Sequence, residues 1–240
     1  PYQFKSEVVL DNLSFSYDQD KGEILKNVNL KINRGEKIGF VGKTGSGKST
    51  LLDLILGILE PSNGKVIIDN LNLHEPSPSF HSEGFKQSWQ ISLAHVPQSV
   101  FLTDSSIREN IALGISPEEI DERLIRDSAK KAMISEFITS LPQGYDTFVG
   151  ERGINLSGGQ QQRIGIARAL YKKANILIFD EATSALDSVT EQDVMMSIED
   201  LDPELTLIMI AHRISTLKSC DKIYRVDSQA VRLEFDKENI

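Results

Sequence analysis

Cysteine is almost absent from this sequence: 240 residues hold one, Cys220. A single thiol cannot close an internal disulfide, so nothing here demands an oxidising compartment, and Cys220 reads as a small buried apolar residue. Long apolar runs are missing too. "LLDLILGIL" and "LTLIMIA" fall far short of the ~20 residues that cross a bilayer. No signal peptide opens the chain and no initiating methionine either; it begins "PYQFKSEVVL", so a piece of a longer protein is expected. Positive charge is in deficit, with 26 Lys and Arg against 35 Asp and Glu and a net charge of -9. That argues against a generally basic surface and against nucleic acid as a partner. Internal repeats and low-complexity tracts are lacking. His74, His81 and His95 have no metal-ligand spacing with the cysteine or with one another.

What is present reads as an α/β protein. With 40% hydrophobic and 25% charged residues, the chain can bury one full core, two small domains being the alternative. "VVLDNLSFSY", "LKNVNLKI" and "KIGFV" alternate and are rich in β-formers, which predicts three strands. From Ser49 the period changes: Leu51, Leu52, Ile55, Leu56 and Leu59 mark a helical face that Gly57 and Pro61 close. "KVIID" and "ISLAHV" predict strands, with "NLNLHEPSPSFHSEGFKQSW" between them as a loop. Between about Ser99 and Lys173 the character is helical. "SPEEIDERLI" predicts a helix capped by Ser116, with Pro117 in its first turn and Glu119 completing a capping box. "NILIFD" is a short apolar run of the kind buried in a parallel sheet, and a helix is predicted from Ser188 with Glu191 at the capping-box position. "LTLIMIAH" and "DKIYRV" supply further strands. Strands alternating with helices predict an α/β core with a mainly parallel sheet.

Two segments carry phosphate chemistry. "GKTGSGKS", Gly42 to Ser49, fits G-x-x-x-x-G-K-[ST] and lies between a predicted strand and a predicted helix, where that motif must lie. Gly42, Gly45 and Gly47 let backbone N–H groups approach phosphate oxygens that side chains would block. Lys48 can meet the β- and γ-phosphates, and the Ser49 hydroxyl can meet Mg²⁺. A second apolar strand ending in acids should complete the site, and "ILIFDE" does so. Asp180 is placed to hold Mg²⁺ and Glu181 to polarise an attacking water. The other segment is "LSGGQQQRIGIARAL", a Ser-Gly-Gly turn opening a helix with Ile164, Ala167, Leu170 and Tyr171 on one face. Such a helix start attracts anions, so the chain carries two cradles where one nucleotide needs one.

Together these motifs resemble the nucleotide-binding domain of the ATP-binding cassette (ABC) transporter family across nearly the whole chain. "GKTGSGKS" resembles the family's Walker A, "ILIFDE" its Walker B and "LSGGQ" its signature. In the same order, "VPQ" resembles the Q-loop at Gln98, "SALD" the D-loop at Asp187 and "AHR" the switch histidine at His212. Tyr17 stands where the family stacks an aromatic ring on adenine. The resemblance implies a P-loop NTPase core with a mainly parallel sheet, an N-terminal antiparallel β subdomain and an inserted α-helical subdomain. It places one domain over 1–240, with the core at about 1–98 and 171–240 and the helical part at about 99–170. It implies ATP held by Tyr17 and by Gly42, Lys43, Thr44, Gly45, Ser46, Gly47, Lys48, Ser49 and Thr50. Mg²⁺ falls to Ser49, Gln98 and Asp180, and catalysis to Glu181, His212 and Gln98.

The second cradle also finds its reason there. In the resembled family two cassettes pair head to tail, and Leu156, Ser157, Gly158, Gly159 and Gln160 would close on the ATP of the partner. The partner would be a second nucleotide-binding domain, identical or not. "TFVGERG" and "SIRENIALG" resemble exporter sequences, which implies transmembrane domains in the same full-length chain and a place on the cytoplasmic face of a bacterial inner membrane. The alternatives are a soluble cassette ATPase of DNA repair or translation, and a non-catalytic nucleotide-sensing module. Three stretches depart from the pattern. The loop between Asp69 and Gln98, with Pro76 and Pro78, is longer than usual and reads as a surface excursion. Gln161 and Gly165 stand where Arg and Ala are commoner, and "DSQAVRLEF" matches the usual glycine-containing hairpin poorly.

Overall fold

Alternating burial along the first two strands shows why they pair. In β1 (Glu7–Phe15) Val8, Leu10 and Leu13 are buried, and in β2 (Leu25–Asn33) Leu25, Val28, Leu30 and Ile32 are. β1 runs antiparallel to β2 and to β4 (Asn63–Ile68), and with β5 (Leu71–Asn72) they form a sheet in the order β2-β1-β4-β5. The computed structural model describes residues 1–18, 20, 22–76, 82–182, 185–199, 204–212 and 214–239. Pro78, His81, Ser184 and Arg213, which the sequence reading singled out, lie outside them.

The chain divides into two units, one of 1–93, 175–178 and 204–240, the other of 94–174 and 179–203. The first unit holds the antiparallel sheet and most of a second one. β3 (Lys37–Val41) lies parallel between β8 (Thr206–Ala211) and β9 (Lys222–Asp227), and β10 (Ala230–Asp236) returns antiparallel along β9. The full order is β10-β9-β3-β8-β7-β6. β7 (Ile176–Asp180) and β6 (Leu93–Val96) carry the chain out of the first unit. Every residue of β8 is buried, which is what a continuously apolar parallel strand requires. α1 (Lys48–Ile55) follows β3 through the glycine loop and buries Leu51, Leu52, Leu54 and Ile55 in the core of this unit.

Two sequence expectations in this unit are corrected. The stretch read as a loop contains β5 and an eleven-residue helix, α2 (Ser82–Ser92). Its weak apolar signal concealed a strong anchor: Trp89 is fully buried, donates its indole N–H to the carbonyl of Ile55 at 2.8 Å and packs edge-on to Phe4. The C-terminal stretch that matched a hairpin poorly is a hairpin. Asp227 pairs with Ala230, and the two residues between them, Ser228 and Gln229, have φ of 50° and 68°. Positive φ at both central positions is the I′ geometry that suits strand twist, reached here without glycine.

The second unit is mostly helical, with α3 (Ile107–Ile111), α4 (Glu122–Lys131), α5 (Ser135–Ser140), α6 (Gly158–Tyr171) and α7 (Ser188–Glu199). The capping predicted at Ser116 moves. Pro117–Glu119 is a separate 3-10 turn with no side-chain cap, and α4 starts later with Asp121 accepting from the N–H groups of Arg123 and Leu124. The cap of α7 is likewise one residue earlier than read: the Asp187 carboxylate accepts from the N–H groups of Val189 and Thr190. Nor is α6 a one-faced helix, since Gln162, Ile164, Gly165, Ile166, Ala167 and Ala169 are all buried around it. No helix among the described residues is long and apolar enough to cross a membrane.

Gly165 has a packing reason. A Cβ there would stand 2.6 Å from Cγ2 and 3.0 Å from Cγ1 of Val100. Alanine would gain about 1 kcal/mol of helix propensity, but overpacking against a stiff β-branched neighbour costs about 1–3 kcal/mol. Gly165→Ala is therefore expected to lower stability, with a favourable coupling to Val100→Ala in a double-mutant cycle followed by urea unfolding. A neutral or stabilising Gly165→Ala would show that Val100 simply moves aside.

Candidate functional site

The glycine loop leaves β3 at Val41, which is paired with Ala211, the last residue of β8. Both parallel strands thus release their chains at the same sheet edge, one into Gly42 and the other into His212. That is the edge where open α/β sheets place ligands. His212 is exposed there.

Each glycine of the loop serves a different need. A Cβ on Gly42 would stand 2.3 Å from the carbonyl oxygen of Val226 and 2.7 Å from Ser46 Oγ, so only glycine fits. Gly45 and Gly47 have φ of +78° and +102°, where other residues are strained. Gly47 also caps α1, and no side chain occupies that helix start, which leaves the positive end of the helix and its first N–H groups for an anion. Ser46 Oγ is buried without a hydrogen-bond partner, a group a bound oxyanion would satisfy. Lys43, Thr44, Gly45 and Ser49 are exposed.

Lys48 is 5% exposed, and its ammonium donates to the carbonyls of Gly42 at 2.9 Å and Lys43 at 3.0 Å. The cation is held inside the loop by the backbone it will serve. Thr50 is buried, and its hydroxyl lies 3.1 Å from the Tyr17 hydroxyl. The Tyr17 ring is 63% exposed and stands edge-on to Phe15 at 4.9 Å and 88°. Tyr17 therefore presents an open aromatic face beside the glycine loop, fixed at its edge by Phe15 and at its tip by Thr50.

In the second unit, Asp180 ends β7, half-buried, and Glu181 follows with a φ of 52°. A carboxylate side chain in the left-handed region is an uncommon backbone state, of the kind that gathers at functional sites. Gln98 donates its amide N–H to Glu181 Oε2 at 2.8 Å, so these two sequence-singled residues do meet.

The Ser-Gly-Gly turn is built by a reciprocal cap. Ser157 Oγ accepts from the N–H of Gln160, and Gln160 Oε1 accepts from the N–H of Ser157 at 2.8 Å. That uses a lone pair of the serine and leaves its proton for another acceptor. With Gly158, Gly159, Arg163, Ala185, Leu186, Asp187 and Thr190 this turn lines a cavity of about 470 Å³. A Cβ on Gly159 would stand 3.2 Å from the Ala185 carbonyl oxygen, so the two loops are already close. Leu156 is half-buried just ahead, its N–H donating to the Gly153 carbonyl.

Beside the signature, Gln162 and Arg163 escaped the sequence reading, and Gln161 was noted only as a departure from the family pattern. Gln161 donates to the carbonyls of Gly153 and Leu156, tying the "GERG" turn to the signature helix. Gln162 is buried and reaches both Gln98 and Ala185. Arg163 donates to the Met133 carbonyl; burial pulls its guanidinium down from the ordinary value while Asp187 acts to raise it. The signal was available: polar side chains within a helix otherwise buried all round need partners.

Fold and loop geometry define a P-loop nucleotide-binding protein. The chain belongs to the ABC transporter family, whose sequence model matches residues 25–184, and it is an ATP-binding domain of that family. It is 41% identical, over 95% of its length, to YgaD of Bacillus subtilis strain 168, an ATP-binding/permease protein named for multidrug export. It is 46% identical, over 92% of its length, to the leukotoxin translocation ATP-binding protein LktB of Mannheimia haemolytica. Among solved structures, a bacterial Atm1-family ABC exporter with ATP bound superposes with a TM-score of 0.85 at 39% identity, over 94% of this chain. The chain spans 38%, 30% and 38% of these three proteins respectively.

The Asp187 cap gives the cavity wall a pH dependence. Hydrogen bonds from the Thr190 hydroxyl and backbone hold its carboxyl below the ordinary aspartate value. A depressed folded pKa means a contribution that is complete above the unfolded value of about 3.9 and is lost as pH falls through the folded one. Asp187→Ala is expected to lower the thermal midpoint at pH 7, and the gap to the parent to close on acidification. A gap that persists well below that range would mean the carboxylate is not what caps α7.

Proposed function

We propose that this chain is the ATP-hydrolysing motor of an ABC exporter, working as a head-to-tail pair with a second cassette. The observation that carries the reading is the cavity of the second unit. It joins a serine-capped helix start, two glycines and about 470 Å³ of open volume, while the chain's own glycine cradle is made of other residues. One polypeptide then carries the two halves of a phosphate site, and a two-fold axis brings each half to the complementary half of its partner.

The roles follow from chemistry. Tyr17 stacks on adenine, and residues 42–50 surround the phosphates with N–H groups. Lys48 exchanges its two carbonyl contacts for β- and γ-phosphate oxygens. Ser49, Asp180 and Gln98 offer hydroxyl, carboxylate and amide oxygens, a donor set that suits a hard cation. A bound Mg²⁺ would neutralise charge on the β- and γ-phosphates. Glu181 acts as general base on water, with Gln98 holding its carboxylate through Nε2 and keeping Oε1 for the metal or the water. His212 orients the γ-phosphate from the strand end. Ser157, Gly158 and Gly159 meet the γ-phosphate of the partner's ATP, with the dipole of α6 behind them. Losing that phosphate removes the contacts that favour the closed pair, and the difference in affinity for ATP and ADP is the work available.

In this reading the core comprises about 1–98 and 171–240, with the helical part at about 99–170 inserted. The transmembrane domains belong to the same full-length chain, and the motor sits on the cytoplasmic face of a bacterial inner membrane. YgaD and the Atm1-family exporter support it, since one is a joined ATP-binding/permease protein and the other an exporter solved with ATP.

Glu181→Gln is expected to lower turnover ~10²-fold or more while ATP still binds, so that an ATP-bound dimer accumulates. Near-normal hydrolysis would remove Glu181 as the base. Ser157→Arg is expected to leave nucleotide binding by the monomer intact and to stop ATP-driven pairing. Light scattering with and without ATP reads this out, and unchanged pairing would refute the assignment.

A further inference from the structure

Gln162 is a buried polar residue in the second turn of the signature helix, 4% exposed, and its side-chain amide is used at both ends. Oε1 accepts from the backbone N–H of Ala185 at 3.0 Å, and Nε2 donates to the backbone carbonyl of Gln98 over a longer 3.4 Å. Neither partner belongs to α6. Ala185 lines the cavity with Ser157, Gly158, Gly159 and Asp187. Gln98 is the residue whose side chain donates to Glu181 Oε2 at 2.8 Å. One amide therefore joins the wall of the cavity to the residue that holds the general base.

We propose that Gln162 is a positioning residue that couples occupation of the cavity to the placement of Glu181. The inference rests on the function proposed above and adds to it a route within one chain. The route is short and each link is directional. The Ala185 loop lies against Gly159, so a phosphate group drawn into the cavity bears on both. A shift of the Ala185 N–H turns the amide that it is bonded to. The other end of that amide pulls on the Gln98 carbonyl, and rotation of that peptide swings the Gln98 side chain on which Glu181 rests. The arm to the Gln98 carbonyl, at 3.4 Å, is the longer of the two. Closing the cavity is thereby reported to the carboxylate, and water is activated only when a partner is in place.

The test separates this role from that of a buried amide serving the fold alone. Gln162→Met keeps length and burial but loses donor and acceptor. Gln162→Glu keeps the acceptor for Ala185 and loses the donor to Gln98. Gln162→Met is expected to lower kcat between about 10- and 100-fold, the cost of misplacing a reacting group by about 1 Å. Binding of a fluorescent ATP analogue to the cradle should stay within about twofold of the parent. ATP-driven pairing in the Glu181→Gln background should persist. Gln162→Glu is expected to lower kcat as well, because the arm to Gln98 is cut in both. If Gln162→Met does not fold, Gln162→Glu is measured alone against the same readouts.

Parental kcat in either variant overturns the inference, as does a fall in nucleotide affinity or pairing that matches the fall in kcat. The Glu181→Gln control keeps the two levels apart. If that variant hydrolyses ATP normally, the proposed function itself fails. If it is inactive while Gln162→Met is fully active, the function stands and the coupling does not.

Discussion

The whole arrangement depends on backbone N–H groups gathered where no side chain interferes. Phosphate oxygens are best met by several short donors at once, and only a glycine-rich turn at a helix start brings them so close. Gly42 answers to space, with a carbonyl where its Cβ would be, whereas Gly45 and Gly47 answer to backbone dihedrals. The second unit offers a comparable feature, a capped helix start whose two glycines lie against Ala185. Strand β3 and the mostly helical second unit are the frames that hold these two turns.

Three polar side chains near the signature turn each tie separate segments together. Gln161 holds the turn before the signature, Gln162 reaches the Q-loop and the D-loop, and Asp187 caps the helix that leaves the D-loop. Loops that touch a ligand have to be placed to a fraction of an ångström, and apolar packing alone does not fix rotation about a helix axis. Hydrogen bonds with one donor and one acceptor do. Gln162, buried in this helix, uses both ends of its amide in that way.

Much of this was legible in the sequence, for identifiable reasons. Strands β1, β2, β3, β7, β8 and β9 were visible because a sheet face or a buried sheet imposes its period on every residue. The glycine cradle was visible because its chemistry tolerates few substitutions. α2 was not, because its hold on the core rests on Trp89 and Phe85 within a polar stretch of Ser, Glu, Lys and Gln. The C-terminal hairpin was hidden because Ser228 and Gln229 take a geometry usually signalled by glycine. Capping was displaced by a residue or more at α4 and α7, since Ser, Pro and Asp compete for the same position until the tertiary fold decides. Gln162 was invisible for a further reason: its meaning lies in two partners that sit 64 and 23 positions away.

The ammonium of Lys48, bonded to carbonyls of its own loop, bears on how readily the cradle would release a nucleotide. An incoming triphosphate replaces two carbonyl ligands instead of meeting a bare cation, so part of its attraction is already cancelled. A departing nucleotide would gain by the same exchange, because the loop reclaims its lysine as the ligand leaves. A cradle whose cation already has carbonyl ligands of its own would hold a departing nucleotide less tightly than one with a bare ammonium.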